Sequence, residues 1–163
     1  MNALYKKILA EVFNQVLERF AFMFGDSISK KELSEIETAY RDDLVQSEIF
    51  FSGELKGKLS IAVPLEMCVE TATNTLGMEL EQKNQREAAC DAIEELLNIT
   101  CGQLLIAIAG KKPIFDLSIP TIFPIGEAEW NNLLEEADSV AFLVDDYPVL
   151  VKLACERATT PIT

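Results

Sequence analysis

The chain has 163 residues, 49% of them hydrophobic and 25% charged, with 14 Lys and Arg against 27 Asp and Glu and a formal net charge of −13. This length suits one domain with a real core, and so acidic a surface repels nucleic acid and anionic membranes. Histidine is absent and Cys68, Cys90, Cys101 and Cys155 show no C-x-x-C spacing, which argues against a zinc site and removes Ser-His and Cys-His nucleophiles.

Leu4, Ile8, Leu9, Val12, Phe13, Val16, Leu17, Phe20 and Phe24 recur at helical spacing. They predict a helix over 3–24, capped by Asn2 and ended by Gly25. Ser29 with Glu32 reads as a capping box for a short helix to about Tyr40. From Leu44 to Val63 the period falls to two: Val45, Ile49 and Phe51 share one parity, as do Leu59, Ile61 and Val63. Two antiparallel strands are expected, with Gly53 and Gly57 between the runs serving a hairpin. Pro64 ends the second strand, and 65–76 reads as a helix with Met67, Val69, Ala72 and Leu76 inward and Gly77 past its end.

Asn84 with Glu87 is a second capping signature, opening a long helix over about 85–109. Gly110, Lys111, Lys112 and Pro113 close it in the expected order of left-handed cap, cations at the negative dipole end, and breaker. Residues 113–125, with three prolines among β-branched residues, read as an extended segment with bends and as an edge strand. Residues 127–137 read as a helical turn or two. Val140–Val144 and Val149–Cys155 read as strands joined through Asp145-Asp146-Tyr147-Pro148, and Thr159 onward as a short tail.

The expected fold class is α+β: an antiparallel or mixed sheet packed with helices, one of them long, in a single domain over 1–163 with its core at about 3–155. The order of elements hints at an internal duplication. No apolar run reaches the roughly 18 residues that span a bilayer, and the opening M-N-A-L-Y-K-K lacks the order of a secretory signal. A cytoplasmic protein with reduced thiols and no membrane insertion is therefore expected.

Within the long helix, Asp91, Glu95, Asn98 and Gly102 stand at i, i+4, i+7 and i+11. At about 100° per residue they share a stripe roughly 60° wide, opposite the apolar set Ile93, Leu96, Leu97, Leu104 and Ile108. Most acid–amide stripes are only solvated helix faces. Here Asn98 is a poor mid-helix residue, and Gly102 costs about 1 kcal/mol relative to Ala, so it wants a reason, of which close helix packing is the plainest. A carboxamide donates and accepts, so it can align a water; phosphoryl transfer needs such positioning more than a strong base. A second E-x-x-N, Glu11 and Asn14, has Lys7 and Glu18 where the first has Asp91 and Gly102. It reads as a structural match, or a decayed repeat copy, rather than a second active site.

The pattern D-x-x-x-E-x-x-N-x-x-x-G at Asp91, Glu95, Asn98 and Gly102 resembles the signature of the CheC–CheX–FliY family of chemotaxis phosphatases. The strand pair F-S-G-E-L-K-G-K-L-S-I of residues 51–61, the helix 65–76 and the segment Ser118-Ile119-Pro120 support the resemblance. It covers roughly residues 3–155, and the single strong motif is more similar to the CheX branch. The resemblance implies a phosphatase that hydrolyses the aspartyl phosphate of a CheY-type response regulator. Asn98 would orient the attacking water, and Glu95 would pair with the regulator's lysine. Asp91 and Gly102 would contact the partner. It also implies a homodimer and no cofactor of its own, the Mg²⁺ belonging to the regulator. The alternative is a non-catalytic regulator-binding adaptor or flagellar-switch-like module on the same scaffold.

Overall fold

The structure, a computed structural model, describes residues 2–36 and 42–158. Its seven strands are β1 (Gly25–Ile28), β2 (Leu44–Ser52), β3 (Leu55–Pro64), β4 (Asp116–Leu117), β5 (Thr121–Ile125), β6 (Ser139–Val144) and β7 (Tyr147–Arg157). They form one sheet in the order β1-β6-β7-β3-β2, with β4 and β5 both along the outer side of β2, and every pairing is antiparallel. The fold is α+β, as the period-two and helical runs predict.

Alternation along the strands builds a layer on each side. Val45, Ile49 and Phe51 of β2, Leu59, Ile61 and Val63 of β3, and Val149, Val151 and Leu153 of β7 join one large core. Helices α1 (Ala3–Val16), α3 (Leu65–Leu76) and α4 (Gln85–Ala109) cover that face. Phe13 of α1 meets Phe142 of β6 edge to face with ring centroids 4.9 Å apart. The strand residues of opposite parity, Leu44, Ala62, Ala141 and Leu150, meet Leu33 of α2 (Lys30–Glu35) and Trp130 and Leu133 of α5 (Glu127–Glu135) in a smaller second core. Helix α4 is the one helix among the described residues apolar and long enough to cross a membrane, together with the turn before it. Its apolar side is spent on α1, α3 and the sheet.

The order of elements repeats. Exchanging β1 with β5, β2 with β6 and β3 with β7 maps the path β1-β6-β7-β3-β2-β5 onto itself in reverse, with β3 beside β7 at the centre. The same exchange pairs α1 with α4 and α2 with α5, and leaves α3 without a counterpart among the described residues. The internal duplication hinted at by the sequence is therefore present in the topology.

Several boundaries differ from expectation, each for a local reason. The first helix is α-helical only to Val16 and continues as a π-helical turn, Leu17–Ala21, ended by Phe22 in the left-handed region at φ 54°. Gly25 therefore does not end a helix but opens β1, a four-residue strand too short to show alternation. Asn2 caps α1 as predicted, its Oδ1 accepting from Tyr5 N at 2.8 Å. Ser29 caps α2 through Glu32 N, and α2 ends at Glu35; residues 37–41, where its expected continuation falls, lie outside the described residues. Gly57 sits inside β3, where a Cβ would come 2.0 Å from Ala154 O of β7. Leu76 is exposed rather than inward, with Thr71 and Cys68 taking the buried side of α3. Asn84 makes no capping bond, because a 3₁₀ turn, Gln82–Asn84, runs straight into α4. The β6–β7 turn uses Asp145 and Asp146 alone, at φ 44° and 71°, with Tyr147 and Pro148 already in β7. The tail from Thr159 lies outside the described residues.

Candidate functional site

Helix α4 spans Gln85–Ala109 and buries Ile93, Leu96, Leu97, Thr100, Cys101 and Leu104. Each large apolar side chain so buried contributes about 1.5–3 kcal/mol, and together they fix how the helix is rotated. That rotation leaves Asp91 and Glu95 exposed and Asn98 half-buried on the opposite stripe. All three line one groove of about 400 Å³, with Glu94 beside them.

The other wall of the groove is Ser118, Ile119 and Pro120, the bend between β4 and β5. It is tied to β2 at both ends of one residue: Ser118 N donates to Phe50 O at 2.8 Å, and Phe50 N donates to Ser118 Oγ at 2.9 Å. Pro120 fixes its own φ next to this clamp. The wall thus stands in a set position before any partner arrives.

Neither the Glu95 nor the Asn98 side chain makes a hydrogen bond or ion pair within the chain among the described residues. Their polar atoms are available to an outside group. The groove is also acidic, holding Asp91, Glu94 and Glu95 together. Burial, and next the charge of Asp91, holds the Glu94 carboxyl above the usual carboxylate range. A cationic group entering the groove would relieve that repulsion.

Gly102 does not line the groove. It lies on the same stripe one turn beyond Asn98, half-buried, and a Cβ built there meets nothing within 4 Å. Close packing inside the chain therefore does not explain it. On α1, the weaker E-x-x-N is built differently. Glu11 is exposed, but Asn14 Oδ1 is buried, without a hydrogen-bond partner among the described residues, and stands where a Cβ on Gly25 would come within 2.6 Å. Asn14 is thus turned against β1 rather than outward.

Two features of the groove escape the stripe criterion. Glu94 lies about 60° round the helix from Asp91, and the bend at Ser118–Pro120 is some twenty residues away along the chain. Among the described residues no group of three or more His, Cys, Asp or Glu is arranged to hold a metal ion. What the groove offers is a neutral donor–acceptor amide one turn from a carboxylate. This can hold a water and a cation side by side.

Residues 45–141, more than half the chain, match the family described as chemotaxis phosphatase CheX. The fold is similar to that of solved CheX proteins. The chemotaxis protein CheX from Vibrio vulnificus matches at a TM-score of 0.68 and 17% identity, over 94% of this chain and 97% of that one. A chain of the CheX-CheY-BeF3-Mg+2 complex from Borrelia burgdorferi matches at 0.67 and 14% identity, over 94% and 98%. CheX from Desulfovibrio desulfuricans matches at 0.67 and 14%, over 94% and 99%. Among curated proteins none matches. The family match covers more than half of the chain, and the chain belongs to the CheX family of chemotaxis phosphatases.

Proposed function

We propose that this protein is a phosphatase for the aspartyl phosphate of a CheY-type response regulator. The observation that carries the reading is one turn of α4. There a carboxylate, Glu95, and a carboxamide, Asn98, open together on a groove with no partner in the chain among the described residues. Family membership and the fold shared with the Borrelia burgdorferi complex of CheX and CheY support the choice of substrate.

The stripe enters the regulator's phosphate pocket. Asn98 accepts one hydrogen bond from a water and donates to a neighbouring oxygen, which sets the water in line with phosphorus. The water oxygen bonds to phosphorus as the bond to the aspartyl oxygen breaks; the products are the free aspartate carboxylate and inorganic phosphate. Glu95 pairs with the ammonium of the regulator's lysine and keeps the helix in register. Asp91 contacts the partner at the edge of the stripe, and Gly102 lets the two backbones approach. The chain brings no cofactor of its own, and the Mg²⁺ is the regulator's. The same reading takes the protein to be cytoplasmic and a homodimer; light scattering reports the oligomeric state.

The test is the lifetime of phosphate on each CheY-type regulator of the same organism, with and without the protein. A shortened lifetime supports the proposal. Association without faster decay would make the protein an adaptor, and unchanged decay with every regulator would end the reading.

A further inference from the structure

The groove beside Asn98 has an apolar stretch on one wall, Ile119 and Pro120. Ile119 is 87% exposed, at the crest of the bend that faces Asp91, Glu95 and Asn98. It belongs to neither hydrophobic core, so the fold gains little from its side chain. Its backbone, by contrast, is held firmly. Ser118 is bonded to Phe50 through both its N–H and its hydroxyl, and Pro120 follows directly. A large apolar group kept exposed on a preset backbone loses little freedom when a partner covers it. Apolar anchors of this kind, ringed by polar groups, are what concentrate energy in a protein interface.

We propose that Ile119 is the specificity-determining contact for the regulator, seated in an apolar patch beside the regulator's phosphorylated, lysine-bearing pocket. The inference rests on the function proposed above and extends it. The acidic stripe suits any receiver with a cation by its phosphate, and so it selects the class. The isoleucine selects among members by whether an apolar surface lies at the matching distance from that cation. Electrostatics steers the encounter, and the buried isoleucine slows departure.

The experiment compares wild type, Ile119→Asp, Ile119→Val and Asn98→Ala, all full-length. The probes are two CheY-type regulators of the same organism, the one bound more tightly and a second, each carrying beryllofluoride and Mg²⁺ for binding and phosphorylated for turnover. Ile119→Asp should narrow the ratio of their Kd values. It should keep the thermal midpoint and kcat, while Kd and KM for the tighter regulator rise about tenfold or more. Ile119→Val should stay near wild type. Asn98→Ala should show the opposite split, with kcat lost and Kd kept. Wild-type Kd and KM in Ile119→Asp overturn the inference and leave the phosphatase reading standing. An Asn98→Ala protein of full activity overturns the role of the amide and leaves the anchor standing. A wild type that neither binds nor dephosphorylates any regulator overturns both.

Discussion

Asn98 and Asn14 show at the scale of one residue what separates a candidate site from a packed polar group. Both are half-buried asparagines on helices that the pseudo-symmetry pairs. Asn14 points its oxygen at the backbone of β1, whereas Asn98 opens on a groove. Sequence spacing alone could not tell them apart, since which way each helix rolls depends on what the sheet offers it. Glu94 is the other informative residue. Its carboxyl is held above the usual range by burial and by Asp91, so the folded state binds its proton more tightly than the unfolded chain does. Stability from this group is therefore present at low pH and is lost as the pH rises from about 4.3 towards the raised folded value. Glu94→Gln should be more stable than wild type at pH 7, and the gap should close as the pH falls below that window. Urea titrations at pH 7 and pH 4 measure it; a gap of the same size at both would contradict the assignment.

At the scale of elements, the long helix α4 and the helix α3 match their expected bounds at both ends. Both stop at a glycine of positive φ: Gly77 is a left-handed cap at φ 68°, whereas Gly110, at φ 86° and ψ −178°, is extended rather than the expected left-handed cap, and glycine stop signals are strong in sequence. Strand β1 was not legible: four residues, Gly25–Ile28, form it only because β6 offers a partner edge. The π-helical turn was likewise hidden, because Leu17–Ala21 keeps helical apolar spacing while the backbone widens. Two substitutions test the element-level account. Gly102→Ala should raise the stability of α4 by about 0.5–1 kcal/mol, because the added methyl meets open space and removes backbone freedom from the unfolded chain. A fall in thermal midpoint would mean that α4 needs the glycine for packing. Asp146→Gly, at φ 71° in the two-residue β6–β7 turn, should raise stability by up to about 1 kcal/mol. That corresponds to a midpoint higher by roughly 2–4 °C in calorimetry. Asp145 is left in place because its Oδ1 accepts from Phe24 N at 3.2 Å and ties β1 to the turn.

For the whole molecule, the duplicated topology sets where the site stands. The two hairpins, β2–β3 and β6–β7, meet at the β3–β7 seam, and each half lays its first helix on the same face of the sheet. The second half extends that helix to Ala109 and gives it a clamped bend as a neighbour, while the first half breaks its helix at Val16. Among the described residues, one face of the sheet is thus closed by three helices, and the other is closed only at one end by α2 and α5. Its far half carries Phe50 and the Lys58–Glu48 pair at 2.5 Å beside a hollow of about 730 Å³. That hollow lies away from the amide stripe and shares only Ser118 with the motif groove. The net charge of −13 favours partners whose docking face is basic, and raising the ionic strength weakens such attraction.

The most direct test of the central claim is the decay of phosphate on a CheY-type regulator at saturating concentrations of wild type and of Asn98→Ala. The expected result is fast decay with wild type and a loss of about 10²-fold or more with the variant, while its affinity for the beryllofluoride-loaded regulator stays unchanged. Equal decay rates for the two proteins would contradict a role for the Asn98 amide in setting the attacking water.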